Sequence, residues 1–212
     1  MNTRTLVALP KGRLFDTALD LLRRAGVGVV KEFNGSRRLT FSDNEGRFEF
    51  VALKPADIPV YVESGALDVG VVGSDVLRET EPDVYEPLDL QIGKCRMVVA
   101  IPEGTEIVYN HSLRVATKYP QTAARFFRSK NAHVHILRLE GSVEIAPLLG
   151  LSQAIVDLVE TGKTLRENGM RIFEDVGPVS AKLIVNRTAM KTKSASISSL
   201  ITDLDGVVYA NS

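Results

Sequence analysis

A short turn, Thr161-Gly162-Lys163-Thr164, follows an acid, Asp157, that closes the apolar run Ala154-Ile155-Val156. These residue types suit phosphate recognition. A buried strand ends in a carboxylate, and the turn opening the next helix then offers backbone N–H groups, two hydroxyls and an ammonium. An acid beside such a seat suits a sugar phosphate, the turn holding the phosphate and the carboxylate holding ribose hydroxyls. A purely structural account competes. Thr164 and Glu167 have the T-x-x-E spacing of a capping box, and Thr-Gly turns are common in any protein.

Other groups are placed for related chemistry. Lys11-Gly12-Arg13 falls between an apolar run and a helical pattern. Cations at a helix N-terminus oppose the dipole, so the pair reads either as an anion site or as a solvated loop turning at Gly12. Gly73-Ser74-Asp75 is a second strand-to-helix junction. Gly73 permits close backbone approach, and Ser74 or Asp75 can cap the helix. Arg37, Arg38, Arg47 and Lys54 are cations in the first half of the chain, and most such residues are simply solvated. Tyr119, in Thr117-Lys118-Tyr119-Pro120, reads either as a ring for stacking on a purine or as a core aromatic. Glu140 and Glu144 join Asp157 as acids near the phosphate turn. One of the three can hold Mg²⁺ through water; otherwise Glu140 and Glu144 are surface acids. His133 and His135 share a strand face without an evident third ligand and read as structural or surface residues.

The elements that must position these groups alternate in type. Thr5 to Leu9 reads as a buried strand. Residues 14–25 set Leu14, Ala18, Leu21, Leu22 and Ala25 on one helical face. Phe48, Phe50 and Ala52 alternate as in a strand. Pro55 to Ala66 reads as a helix, Asp68 to Val72 as a strand, and Ser74 to Glu79 as a helix. A second set follows: strands at Met97–Ile101 and Leu113–Thr117, a helix at Pro120–Arg128 with Ala123, Ala124 and Phe127 inward, then strands at Val134–Leu139, Ala154–Leu158 and Arg171–Val176. Repeated βα units predict an α/β fold with largely parallel strands. Ligands of such sheets bind beyond the C-terminal strand ends, where residues 9–13, 73–75 and 157–164 all lie. Turn-rich segments at 89–94 and 177–180 are read as paired crossings between two lobes.

Composition narrows the function classes. Lysine plus arginine and aspartate plus glutamate balance at 26 each, so no global field favours nucleic acid or membrane. There is no Trp, and no aromatic-interleaved basic patch of the kind single-strand binders use. A single cysteine, Cys95, excludes an intrachain disulfide and a cysteine metal cluster. No apolar stretch approaches the ~20 residues of a membrane helix, and the first residues lack a signal-peptide run. A soluble cytoplasmic protein is expected.

Residues 144–165 read E-x5-G-x-S-x2-I-x-D-L-x2-T-G-K-T-L, which closely resembles the signature of the ATP phosphoribosyltransferase family. Leu9-Pro10-Lys11-Gly12-Arg13, Gly65 to Asp75, Leu53 to Pro59 and Thr117 to Pro120 resemble further family segments, so the likeness runs from Leu9 to about Asn186. It implies a two-lobed periplasmic-binding-protein-like (type II) fold, each lobe a mainly parallel sheet flanked by helices. Residues 1–92 and 178–212 are expected in one lobe and 93–177 in the other. It implies transfer of a phosphoribosyl group from 5-phosphoribosyl 1-diphosphate to ATP, with Mg²⁺. On this resemblance Asp157, Glu144, Lys11 and Arg13 are catalytic. Glu140, Asp157, Thr161, Gly162, Lys163 and Thr164 bind phosphoribosyl diphosphate. Lys11, Gly12, Arg13, Arg37, Arg38, Lys54, Gly73, Asp75 and Tyr119 face ATP, with either Arg37 or Arg38 inward. Lys54 stands where the family usually has Arg, keeping charge but losing the bidentate fork. The length resembles the short form without a C-terminal regulatory domain. That form implies a histidyl-tRNA-synthetase-like regulatory subunit in a hetero-oligomer, on at least a homodimer. Two other classes share features: a non-catalytic binding module on the same fold, and a phosphoribosyltransferase of the commoner type. The latter usually carries two adjacent acids before its turn, where this chain has Asp157 followed by Leu158.

Overall fold

Thr5–Pro10 (β1) is apolar along nearly its whole length, the composition of a strand covered on both faces. In the computed structural model, which describes residues 4–28 and 40–210, β1 lies inside a six-stranded sheet. The chain divides into two compact units, Met1–Gly93 with Ser180–Ser212, and Lys94–Val179.

The sheet of the first unit also contains Thr40–Ser42 (β2), Phe48–Leu53 (β3), Val69–Gly73 (β4), Tyr85–Asp89 (β5) and Ala181–Val185 (β11), in the order β2-β3-β1-β4-β11-β5. Helices cover both faces. Arg13–Arg24 (α1) buries Ala18, Leu19, Leu21 and Leu22 against Val7, Leu9, Phe48 and Phe50, and Ser194–Tyr209 (α8) adds Ile197, Leu200 and Leu204 to the same cluster. On the other face Ile58 and Val62 of Ile58–Glu63 (α2) and Leu77 of Ser74–Thr80 (α3) pack on Ala8, Val72 and Ile184. The helix expected over 55–66 is a 3₁₀ turn at Pro55–Asp57 followed by α2. Arg187–Thr192 (α7) is capped by Asn186. Its side-chain oxygen accepts from the amides of Thr188 and Ala189, each at 2.9 Å, while its amide group donates to the carbonyl of Val62.

The second unit holds Cys95–Pro102 (β6), Arg114–Thr117 (β7), His135–Arg138 (β8), Ala154–Val159 (β9) and Met170–Val179 (β10), in the order β10-β6-β9-β7-β8. Pro120–Ser129 (α4) covers one face through Ala123 and Phe127, with Thr122 buried beside them; Ala124, expected inward, is only half-buried. Ile145–Leu148 (α5) and Lys163–Glu167 (α6) cover the other, where Ala146 and Leu165 meet Val98, Ala100 and Ile155.

The expectation of mainly parallel sheets needs correcting. Parallel pairing is confined to β3-β1-β4 and β8-β7-β9, and both sheets are mixed. The antiparallel strands are β2, in a hairpin with β3, and the strands flanking the two passages between units. β11 runs antiparallel to β4 and β5, and β6 to β9 and β10. β5 leads into β6, and β10 into β11, across to the other sheet, so none of these four strands is joined to a sheet neighbour by the βα crossover that makes neighbours parallel. Residues 177–179 are accordingly the end of β10 and not a turn, although its ladder shifts register between Asp175 and Gly177.

Candidate active site

In the second unit the register of the parallel strands brings three loops to one edge. Thr117 pairs with Arg138 of β8 and with Val156 of β9, so the residues after each strand emerge side by side. Asp157, half-buried, is the residue after that pairing on β9. The turn beyond it opens α6 with Gly162 at φ +72°, a conformation that glycine adopts without strain. The amide of Lys163 reaches the Thr161 hydroxyl only at 3.4 Å, and the amides of Gly162, Thr164 and Leu165 donate to no described residue. The side chain of Arg166 folds back to the Thr161 carbonyl at 3.2 Å. The helix begins at Lys163, which puts Thr164 inside its first turn and not at the cap; the capping box with Glu167 does not form, and Glu167 faces Lys163 instead at 3.7 Å. The orphaned amides and the exposed Thr161, Lys163 and Thr164 side chains therefore remain available to an anion.

Two further acids sit on this edge. Glu140 follows β8, exposed, and accepts from Arg138 at 3.0 Å. Glu144 is half-buried, immediately before α5, and pairs with no cation among the described residues. Tyr119 follows β7, but its side chain is only 6% exposed and packs in the core cluster with Val99, Val115 and Phe127. Its amide donates to the Thr117 hydroxyl, which donates in turn to the Val156 carbonyl at 2.7 Å. Of the two readings of Tyr119, a stacking ring or a core aromatic, the ring's place in the cluster beneath α4 matches the second.

The first unit presents a basic edge. Pro10 of β1 pairs in parallel with Leu53 of β3, and the Lys11 amide donates to the Leu53 carbonyl at 2.7 Å. Lys11 and Lys54 consequently leave adjacent strand ends. Both are exposed, and neither ammonium pairs with a described carboxylate. Gly12, at φ +91°, opens α1 with no side-chain cap, and exposed Arg13 occupies its first turn. Three cations at the start of α1 and of the adjacent 3₁₀ turn, against the helix dipole, make this edge a place for an anion. Arg47 is not part of it. It precedes β3, at the opposite end of the strand from Lys54, and bonds Glu45 at 2.8 Å. Arg37 and Arg38 lie outside the described residues.

The loop after β4 joins the same edge. A Cβ at Gly73 would come within 2.1 Å of the Asp75 carboxylate, which folds over the Gly73 Cα, so a larger residue there would have to push that carboxylate aside. Ser74 and Asp75 are 8% and 9% exposed. Residues from distant parts of the chain hold this loop, and the sequence reading missed them. The Ser74 amide donates to the Ser180 carbonyl at 2.9 Å, and the Ser180 amide to the Ser74 hydroxyl at 3.3 Å. The Ser180 hydroxyl donates to Asp89 at 2.9 Å, Lys182 donates to the same oxygen at 2.7 Å, and the Gln91 amide to the other at 2.9 Å. Burial opposes ionisation of Asp89, but the bonds from Lys182, Gln91 and Ser180 overcome it and hold the carboxyl below its ordinary range. No local pattern signals a contact between residues 91 positions apart.

Comparison with known proteins bears on the whole chain. The family model described as ATP phosphoribosyltransferase, HisG, matches residues 54–206. The ATP phosphoribosyltransferase of Caldanaerobacter subterraneus subsp. tengcongensis is 48% identical over 204 residues, covering 95% of this chain and 96% of that one. Among solved structures, the ATP phosphoribosyl transferase (HisG:HisZ) complex from Thermotoga maritima has a chain that matches with TM-score 0.84 at 34% identity, covering 98% of this chain and all of that one. The substrate-binding protein of an amino acid ABC transporter matches with TM-score 0.58 at 12% identity over 96% of this chain and 92% of its own, a likeness of fold alone. The architecture is therefore the two-lobed α/β fold of periplasmic binding proteins, and the chain belongs to the ATP phosphoribosyltransferase family.

Proposed function

We propose that this chain transfers the phosphoribosyl group of 5-phosphoribosyl 1-diphosphate to N1 of ATP, releasing pyrophosphate, the reaction that opens histidine biosynthesis. The observation that supports the reading is the edge of the second unit, where Asp157 stands before a turn whose Gly162 and Thr164 amides donate to no described residue. Thr161, Gly162, Lys163 and Thr164 hold the 5-phosphate, and Asp157, Glu144 and Glu140 engage the ribose side. The basic edge of the first unit, Lys11, Gly12, Arg13 and Lys54 with Arg37 or Arg38, faces the diphosphate and the ATP phosphates, and the Gly73–Asp75 loop contributes to nucleotide binding. Tyr119 supports its loop from the core.

The chemistry requires no enzyme nucleophile. The lone pair of adenine N1 forms the new bond to the anomeric carbon as the bond to the diphosphate oxygen breaks, and that oxygen leaves with the electron pair. Positive charge that develops on the ribosyl ring is favoured by the fixed carboxylates of Asp157 and Glu144, and charge on the departing diphosphate by the lysines and arginines. Among the described residues no group of three His, Cys, Asp or Glu side chains is set to hold a metal ion. That donor set fits Mg²⁺ carried on substrate phosphates with one or two carboxylates, Glu144 and Asp157 being at hand. When bound, the ion neutralises diphosphate charge.

The Thermotoga maritima relative is a HisG:HisZ complex, and we read this chain as the catalytic partner of a subunit of the HisZ kind, built on at least a homodimer. Its place of work on this reading is the cytoplasm. No helix among the described residues is long and apolar enough to cross a membrane. The reading is tested by offering the purified chain phosphoribosyl diphosphate, Mg²⁺ and pyrophosphatase with ATP or with free nucleobases in turn, and following absorbance of the N1-substituted adenine. Adduct with ATP alone supports it. Adduct with a free base and none with ATP moves the chain to the commoner class of phosphoribosyltransferase.

A further inference from the structure

The Gly73–Asp75 loop is fixed less by its own helix than by a relay that begins on other strands. α3 has no side-chain cap, so its N-terminus gains nothing from the usual local device. In its place, Ser74 and Ser180 exchange a reciprocal pair of bonds: amide to carbonyl at 2.9 Å one way, amide to hydroxyl at 3.3 Å the other. Arg78 closes the turn from the far side, donating from Nε to the Ser74 carbonyl at 3.2 Å and from Nη2 to its hydroxyl at 3.0 Å. Ser180 is in turn held through its hydroxyl by Asp89 on the edge strand β5, and Asp89 is fixed by Lys182 of β11 and the Gln91 amide. Ser180 is also the residue at which the chain re-enters the first unit. It pairs with nothing in the strand ladder, since β10 ends at Val179 and β11 starts at Ala181.

We infer that Ser180 and Asp89 are positioning residues for the nucleotide loop: Asp89 orients the Ser180 hydroxyl, which sets the Ser180 backbone, which places Ser74 and with it Gly73 and Asp75. The inference rests on the reading that this loop binds ATP. The geometry favours positioning over mere strand cohesion. β11 already pairs with β4 from Ala181 to Val185 and with β5 from Lys182 to Val185, so the sheet closes without Ser180. What the Ser180 side chain adds is the orientation of one backbone unit that faces the loop. Because the carboxylate of Asp75 lies over the Gly73 Cα and Ser74 stands between the two in the chain, a shift of Ser74 bears on both residues.

The test measures ATP binding by calorimetry, together with KM for each substrate, kcat and unfolding midpoint, in wild type, Ser180→Ala, Ser180→Thr and Asp89→Asn. Ser180→Ala should weaken ATP binding about tenfold, the scale of a hydrogen bond to a charged group. KM for phosphoribosyl diphosphate should stay near wild type, and the unfolding midpoint should fall only by what one lost hydrogen bond costs. Ser180→Thr, which keeps the hydroxyl, should restore ATP binding to within about twofold, and Asp89→Asn should shift it in the direction of Ser180→Ala. Unchanged ATP binding in Ser180→Ala overturns the inference while leaving the enzymatic reading intact. Equal losses for both substrates with a lowered midpoint also overturn it, assigning the network to stability alone. A wild type that neither binds ATP nor turns over removes the enzymatic reading and this one with it.

Discussion

In the proposed reaction the carboxylate of Asp157 and the amides of the following turn would divide the work on one substrate: the turn would hold a charge present throughout, and the acid would meet a charge that develops only as the bond to the diphosphate breaks. Interactions made in the transition state raise kcat, whereas uniform binding changes KM. Asp157→Asn, nearly isosteric, should therefore lower kcat by about 100- to 1,000-fold with a smaller change in KM for phosphoribosyl diphosphate, the range of one well-placed electrostatic group. A change in KM alone removes the transition-state role. At this scale the sequence was most readable where the residues are local. Thr161 to Thr164 and Lys11 to Arg13 each lie within one strand-to-helix junction, where helix-end electrostatics suggests an anion, a structural reading stands beside it, and the family resemblance chooses between them; Asp157 stands in β9 just before the first of these junctions. Tyr119 was less readable, because a strand-end aromatic looks the same in sequence whether its ring faces solvent or, as here, the core beneath α4. The Ser180–Asp89 relay left no local trace, because its partners meet only through the sheet.

At the scale of elements, the second unit carries a clasp on β10 and beyond the C-terminal end of α4. The Tyr109 hydroxyl donates to Glu174 of β10 at 2.6 Å, and Lys130, just beyond α4, pairs with the other carboxylate oxygen. Tyr109 also packs edge-on against Phe127 and Phe173. Lys130 first and Tyr109 second hold the Glu174 carboxyl below its ordinary range, while burial, and then Glu174 itself, push the Tyr109 hydroxyl up. A carboxyl with a depressed folded value stabilises above its unfolded value and loses that contribution as pH falls through the folded one. Wild type should thus lose more stability than Glu174→Gln on acidification from about pH 5 to 3, the unfolded carboxyl range being near 4.3. The two should converge at the acid end, a trend that urea unfolding midpoints across that range would check. Parallel acid limbs in both proteins count against the clasp. The βα repeats that build the parallel cores of both sheets were legible from alternating patterns. The antiparallel flanks were not, since nothing local in β5, β6, β10 or β11 states which neighbour each will choose.

For the molecule as a whole, the two units each bring one charged strand-end edge, acidic with a phosphate turn in one and basic in the other. The near-equal count of acids and bases conceals this division, because the charges are sorted by position and not by number. The measurement that tests the central claim most directly is mass-spectrometric analysis of the purified chain incubated with ATP, phosphoribosyl diphosphate and Mg²⁺, with and without a HisZ-type subunit. The account predicts an adduct of ATP bearing one phosphoribosyl group, one pyrophosphate released per adduct, and neither product when a substrate is omitted. Folded protein that binds neither substrate and forms no adduct, alone or with the subunit, would contradict it.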